Sequence, residues 1–176
     1  VVIAHFILLP LIVWALTSPT LGPYEKAGLF FAAGLWFGQV SNANAHELIH
    51  RQNKALRRLG MWAYITLLFG HHTSAHLLVH HQHVATMVDP NTSRQGESLY
   101  RYMARAWAGS FRQGYRAEAA RLQRVERTAW RNPYVAYVGG ALLCLSAAAF
   151  FGGWQAVAFY IALCGYAQSQ LLMSDY

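Results

Sequence analysis

Charge is scarce in this sequence. Asp, Glu, Lys and Arg make up only 12 % of the 176 residues, about half the share that a soluble domain carries. Acids are the scarcer sign, with seven Asp and Glu against fourteen Lys and Arg. The two cysteines, Cys144 and Cys164, lie in apolar segments without C-x-x-C spacing. That excludes a disulfide framework and leaves them as small buried residues. The opening run VVIAHFILLPLIVWAL has neither a basic lead-in nor a small-residue cleavage site, so it does not read as a secretory leader. No internal repeat and no low-complexity tract is visible.

What is abundant is apolar surface. Hydrophobic residues make up 55 % of the chain, six tryptophans among them, and the length is that of one modest domain. With so little charge, this composition predicts an integral membrane protein. The chain opens at Val1 inside one apolar run and ends at Tyr176 just after another, so it is expected to be an internal piece of a longer protein.

Four stretches have the length and apolarity of crossings: roughly 1–16, 27–45, 134–152 and 154–173. A span takes about 20 residues at about 1.5 Å rise each. TSPTLGPYEK should turn between the first two, and Gly152-Gly153 between the last two. The expected fold is all-α: a membrane helical bundle of two hairpins, 1–45 and 134–173, with a helical insert over 46–133. Thirteen of the fourteen basic residues fall between Arg51 and Arg131, against four acids. The resulting net charge there is 13 − 4 = +9, which places 46–133 in the cytoplasm by the positive-inside rule.

The segment from Leu59 to His80 is apolar enough to suggest a fifth crossing. As one helix it would run about 32 Å and carry its histidines to the opposite face from His46 and His50. If the clusters meet, it must stay on the cytoplasmic side. A further helix is expected through the Arg-rich 94–131 region. Its apolar positions are Leu99, Tyr102, Met103, Ala106, Trp107, Phe111 and Tyr115, the pattern of a helix on a membrane surface that could also receive an acidic partner.

Eight of the nine histidines fall between positions 46 and 83. Ionisable groups at a membrane are costly and usually functional. Residues i and i+4 share a helical face, so His46 pairs with His50 and His76 with His80, with His81 next in sequence. Imidazole suits Zn, Cu, Fe and Ni alike. H-E-L-I-H, residues 46–50, alone reads as the helical zinc motif of metalloproteases, with Glu47 as base. That reading leaves the second cluster idle. Five imidazoles on one side of a membrane fit a polynuclear iron centre better, one able to activate O2, which redox-inert zinc cannot do.

Two longer stretches carry a family resemblance. NANAHELIHRQNK, residues 42–54, resembles the first histidine box, H-E-[LM]-x-H-[KR], of the membrane alkane 1-monooxygenases, within the fatty acid desaturase-like superfamily. AHLLVHHQHVATMVDPNTSRQGESLYRY resembles their second box and the stretch after it, through Val84, Ala85, Thr86, Asp89, Pro90, Ser93, Arg94, Gly96, Glu97, Ser98, Leu99 and Tyr100. The closing LLMSDY resembles the start of that family's N-Y-x-E-H-Y-G motif, and its L-Q-R-H-x-x-H-H box has no counterpart in these residues. Ala75 stands where the family has Glu, Val79 where it has Gly, and Asp175 where it has Asn.

The resemblance implies metal ligation by His46, His50, His76, His80 and His81. It implies two non-haem iron ions, O2 as co-substrate, and electrons from a rubredoxin-type donor, used to hydroxylate the terminal methyl of a medium-to-long-chain alkane. It also implies a bacterial cytoplasmic membrane as location, with no nucleic-acid partner. Glu47, His71, His83, Asp89 and Glu97 are candidates to support the ligands from behind, Glu47 by fixing the tautomer of a ligand histidine. Asp89 and Glu97 would do the same or pair with arginines. Related desaturases, xylene-type or other lipid hydroxylases and, more remotely, an intramembrane zinc hydrolase or a non-catalytic metal-binding membrane protein are the alternatives.

Overall fold

A computed structural model describes residues 1–176. Every regular element is helical. Helix α1, Val2–Thr17, leads through a turn to α2, Pro23–Leu35. Pro23 opens α2 at the position where its missing N–H costs nothing, and the Glu25 carboxylate accepts the Gly22 N–H at 2.7 Å. A π-helical turn, Trp36–Ser41, joins α2 without a break to α3, Asn42–Ile49. Next comes α4, Lys54–Thr66, started by Asn53, whose side chain accepts the amides of Ala55 and Leu56.

α3 and α4 form a tight antiparallel pair. Gly60 of α4 sits so close to α3 that a Cβ there would lie 2.7 Å from the Ala45 carbonyl oxygen. The single helix from Leu59 to His80 that a fifth crossing would need does not form. Leu68 adopts φ 57°, a left-handed conformation that ends the helix, and the chain turns back. It re-enters a helix as α5, His72–Ala75, a second π turn, His76–His80, and the single turn α6, His81–His83. This reversal returns the second histidine cluster to the level of the first.

An irregular stretch follows before α7, Leu99–Arg124, capped by Ser98. The buried positions of α7 are Tyr102, Ala106, Ser110, Gly114, Glu118 and Leu122, a strict i+4 series. Of the apolar positions read from sequence, Tyr102 and Ala106 are buried while Trp107 and Tyr115 are exposed, and a glycine and an ion-paired glutamate go inside. Gly114 faces Ala75 of α5 and the Tyr134 hydroxyl. Trp107 donates to Gln168 at 2.9 Å, and the Tyr134 hydroxyl donates to the Phe111 carbonyl at 2.9 Å. α7 thus meets both ends of the final helical element, α8, Pro133–Asp175.

α8 breaks at Gly153, with φ 65° and ψ −165°, a conformation glycine adopts without a Cβ penalty. This is where the Gly-Gly pair predicts a turn. Cys144, Leu145 and Ala148 from its first half pack on the cluster holding Ala156, Tyr160 and Leu163 from its second.

By length and composition α8 is the one helix able to cross a membrane; α1, with 16 residues, is a shorter apolar helix. The expected crossing over 27–45 lies within α2, the π turn and α3, which follow one another without a break. Ile3, Ile7, Leu11 and Trp14 form an exposed stripe on α1, and Phe150, Phe151 and Trp154 stand exposed at the bend of α8.

Candidate metal centre

The two histidine boxes converge in space. α3 carries His46 and His50 on one face, with ring centroids 4.8 Å apart. The reversed segment brings His76 alongside: its Nε2 lies 2.7 Å from Nε2 of His46 and 2.8 Å from Nε2 of His81. His81 also lies beside His50, with centroids 5.0 Å apart, and His80 beside His76 at 5.3 Å. All five histidines singled out in sequence thus share one cluster. One nitrogen each from His46, His50 and His76 falls within a 4.8 Å group.

The pairing of His76 with His81 is not an α-helical one. In an α-helix residues i and i+5 point well apart. A π turn closes i→i+5 bonds, and that puts His81 over His76. Such turns cost helical stability and occur often at functional sites.

Burial and mutual proximity disfavour the protonated forms of His76, His46 and His81. Desolvation, and then the neighbouring His46, His81, His80 and His50, drive His76 down to about 2. Desolvation first, then the other rings, also lowers His46 and His81. Neutral imidazole is the form that ligates a metal. Nitrogen lone pairs facing each other at 2.7–2.8 Å are repulsive unless a proton or a cation stands between them. The donor set is all imidazole, which fits a borderline transition metal such as iron or zinc.

The supporting candidates divide. Asp89 is buried, and its Oδ2 accepts from Nδ1 of His80 at 2.8 Å. A carboxylate only accepts, so the His80 proton sits on Nδ1 and Nε2 keeps its lone pair, the arrangement that orients a ligand histidine. Asp89 is itself held by the Asn91 amide at 2.9 Å and the Thr92 hydroxyl at 3.1 Å. Glu97 pairs instead with Arg105, Oε2 to Nη2 at 2.6 Å and Oε1 to Nε at 2.8 Å. Mainly through that hydrogen bond, Arg105 holds the Glu97 carboxyl at about 2. The same guanidinium donates to the carbonyls of Pro90 and Thr92, so it clamps the segment that carries Asp89.

Glu47 behaves differently from expectation. Its carboxylate is exposed and pairs with Arg51 at 3.5 Å, because position 47 falls on the outer side of α3, one residue from the His46 face. His71 is buried among Phe69, Trp107 and Phe111; its Nε2 has no partner, and burial drives it down to about 3. His83 lies on the last turn, where its carbonyl accepts from the Thr86 hydroxyl.

His72 joins the cluster from outside the two histidine boxes. It is buried and stacks on His76, centroids 5.1 Å apart, and on Phe69 at 5.2 Å. The signal was present, since His72 stands four residues before His76. Asn91 was missed altogether. It bonds Asp175 through Nδ2 at 3.1 Å and receives the hydroxyls of Ser110 and Tyr102, so it ties the end of α8 and α7 to the segment holding Asp89.

Residues 26–176 match the fatty acid desaturase family. The chain is 31 % identical over 126 residues to alkane 1-monooxygenase 1 of Alcanivorax borkumensis, covering 72 % of this chain and 31 % of that protein. It is 30 % identical over 126 residues to an alkane 1-monooxygenase of Pseudomonas putida, with 72 % and 31 % covered. The hydroxylase component of a xylene/toluene monooxygenase of Pseudomonas putida is 25 % identical over 135 residues, with 74 % and 36 % covered. The chain spans about a third of the length of these relatives.

Proposed function

We propose that this chain, which belongs to the fatty acid desaturase family, supplies part of the metal centre of an O2-dependent alkane hydroxylase. The observation that carries the reading is the meeting of His46 and His50 with His76, His80 and His81 in one imidazole cluster. The substrate class rests on the printed names of the relatives.

In this reading these five histidines hold non-haem iron, two ions when further ligands of the whole protein complete the set. The bound irons supply the O2 activation that a strong C–H bond requires. One oxygen atom enters the alcohol, and electrons from a rubredoxin-type donor, with protons, reduce the other to water.

The chain's own residues do the rest. Asp89 keeps the His80 proton on Nδ1 and so leaves Nε2 free to ligate. An apolar cavity of about 290 Å³ lies between α1 and the two halves of α8, lined by Phe6, Leu9, Val13, Ala148 and Tyr160 among others. It offers an alkane, which has no polar handle, binding by burial alone at about 0.8 kcal/mol per CH2. The exposed apolar stripes of α1 and α8 face lipid, two hairpins cross the bilayer, and the histidines lie on its cytoplasmic side. α7, spanning the ends of α8, offers its arginines to an acidic electron donor.

The zinc-hydrolase alternative is disfavoured by Glu47, whose carboxylate is turned to Arg51 and solvent. A xylene-type methyl hydroxylase is the second reading, favoured by the match to the xylene/toluene enzyme; a desaturase is the third. Elemental analysis of the purified intact protein, with product analysis on an n-alkane and on p-xylene, tests these together. Iron and a primary alcohol from the alkane are expected. Zinc as the sole metal, or no oxygenated product from the alkane, would overturn the proposal.

A further inference from the structure

We infer that His5 is a positioning residue for the metal centre: it fixes the helical register from which His46 and His50 reach it. The inference rests on the metal-binding reading above and adds a residue outside both histidine boxes.

His5 lies in α1 and is fully buried. Both ring nitrogens are occupied by hydroxyls: Nδ1 lies 2.6 Å from Ser41 Oγ, and Nε2 lies 2.8 Å from Thr66 Oγ1. The proton positions follow from the partners. Thr66 Oγ1 lies 3.1 Å and 3.0 Å from the carbonyls of Trp62 and Ala63, which can only accept. Its single proton goes there, so its oxygen accepts from His5 Nε2–H. Nδ1 then accepts from the Ser41 hydroxyl. The result is a neutral ring of one tautomer, packed edge-on against Phe37 with centroids 5.1 Å apart.

The two partners sit at the roots of the two ligand-bearing segments. Ser41 is the last residue of the first π turn, and α3 continues from it without interruption to His46 and His50. Thr66 is the last residue of α4, just before the reversal that leads to His72–His81. The Tyr160 hydroxyl from α8 donates to the Thr66 carbonyl, so that end is fixed from a second side.

A π turn accommodates one residue more than an α turn. Were it to relax to an α-helix, everything after it would rotate by about 100° about the axis, the angle per residue of an α-helix. His46 would then swing away from His76. The Ser41–His5 hydrogen bond opposes that relaxation by pinning the end of the π turn to α1. His5 has no hydrogen bond to any histidine of the cluster, so its effect passes through Ser41 and Thr66.

The test titrates the purified metal-free intact protein with Co2+, whose visible absorption reports the imidazole geometry. His5→Phe keeps a planar aromatic ring but loses both hydrogen bonds. It is expected to weaken cobalt binding about 10- to 100-fold, the range for residues that orient ligands, and to alter the cobalt spectrum. His5→Gln, which can donate and accept at once, is expected to restore both towards wild type. Leu16→Ala, likewise fully buried in α1, should lower the melting temperature without moving the cobalt spectrum. If His5→Phe does not fold, Ser41→Ala, which retains His5, should show the same loss and the same spectral change. Cobalt binding unchanged in His5→Phe or in Ser41→Ala, or an equal loss in Leu16→Ala, would overturn the inference while leaving the metal reading intact. A wild-type protein that binds no cobalt would overturn the metal reading, and this inference with it.

Discussion

Nδ1 of His80 donates to Oδ2 of Asp89 across 2.8 Å, and the Asp89 side chain is completely buried. The eight intervening residues bring a carboxylate behind a ring that stands in the histidine cluster. The bond fixes both the tautomer and the rotation of that ring. Changing Asp89 to Asn keeps the shape and an acceptor oxygen for the Asn91 amide, but removes the charge that holds the Nδ1 proton. The expected outcome is a metal affinity lower by about 10- to 100-fold with little change in helix content. Iron titration beside far-UV circular dichroism checks it, and an unaltered affinity would count against a supporting role for Asp89.

His80 and His83 separate ligand from bystander. His80 stands beside His76 with ring centroids 5.3 Å apart, whereas His83 ends the last turn of that helix. His80→Ala in the intact protein should lower iron content and abolish hydroxylation, and His83→Ala should retain most of the iron and part of the activity. The reverse result would mean that the second box has been assigned in the wrong register.

The Glu97–Arg105 clamp gives a pH dependence of definite sign. Glu97 is held at about 2, below its ordinary 4.5, chiefly by its hydrogen bond from Arg105. A carboxyl depressed in the folded state stabilises above its unfolded value, and the contribution fades as pH falls from about 4.5 towards about 2. Melting temperatures of wild type and Glu97→Gln should therefore differ most at neutral pH and converge in acid. A difference that grows on acidification would refute the assignment.

Sidedness tests the proposed membrane arrangement. With Cys144 and Cys164 replaced by Ala, single cysteines at the exposed positions Arg57 and Met87 should react with an impermeant thiol reagent from the cytoplasmic side, and one at Thr20 from the other. Labelling of positions 57 and 87 from opposite sides would contradict both the two-hairpin topology and a shared metal site.

Much of this protein is determined by its sequence alone. The apolar runs decide that α1 and α8 form and present bare hydrophobic surface, because backbone groups there can be satisfied only within a helix. Gly153 decides where α8 bends, since the left-handed φ it needs excludes most other residues. The i and i+4 spacing puts His46 and His50 on one face wherever α3 lies.

The tertiary structure decided what local spacing leaves open. Spacing says that His76 should stand with His80; it does not say that a π turn will also bring His81 over His76. A π insertion is locally unfavourable and is sustained by packing between helices, so it leaves little mark in the spacing. The reversal at Leu68 is of the same kind, for a leucine at φ 57° gains nothing locally and is held by its surroundings. The direction of Glu47 was likewise undecided, because a motif names residues but the orientation of α3 against α4 chooses which of them face inward. The link from His5 to Ser41 and Thr66 joins residues 36 and 61 positions apart, and only the folded bundle brings their polar atoms within reach of one another.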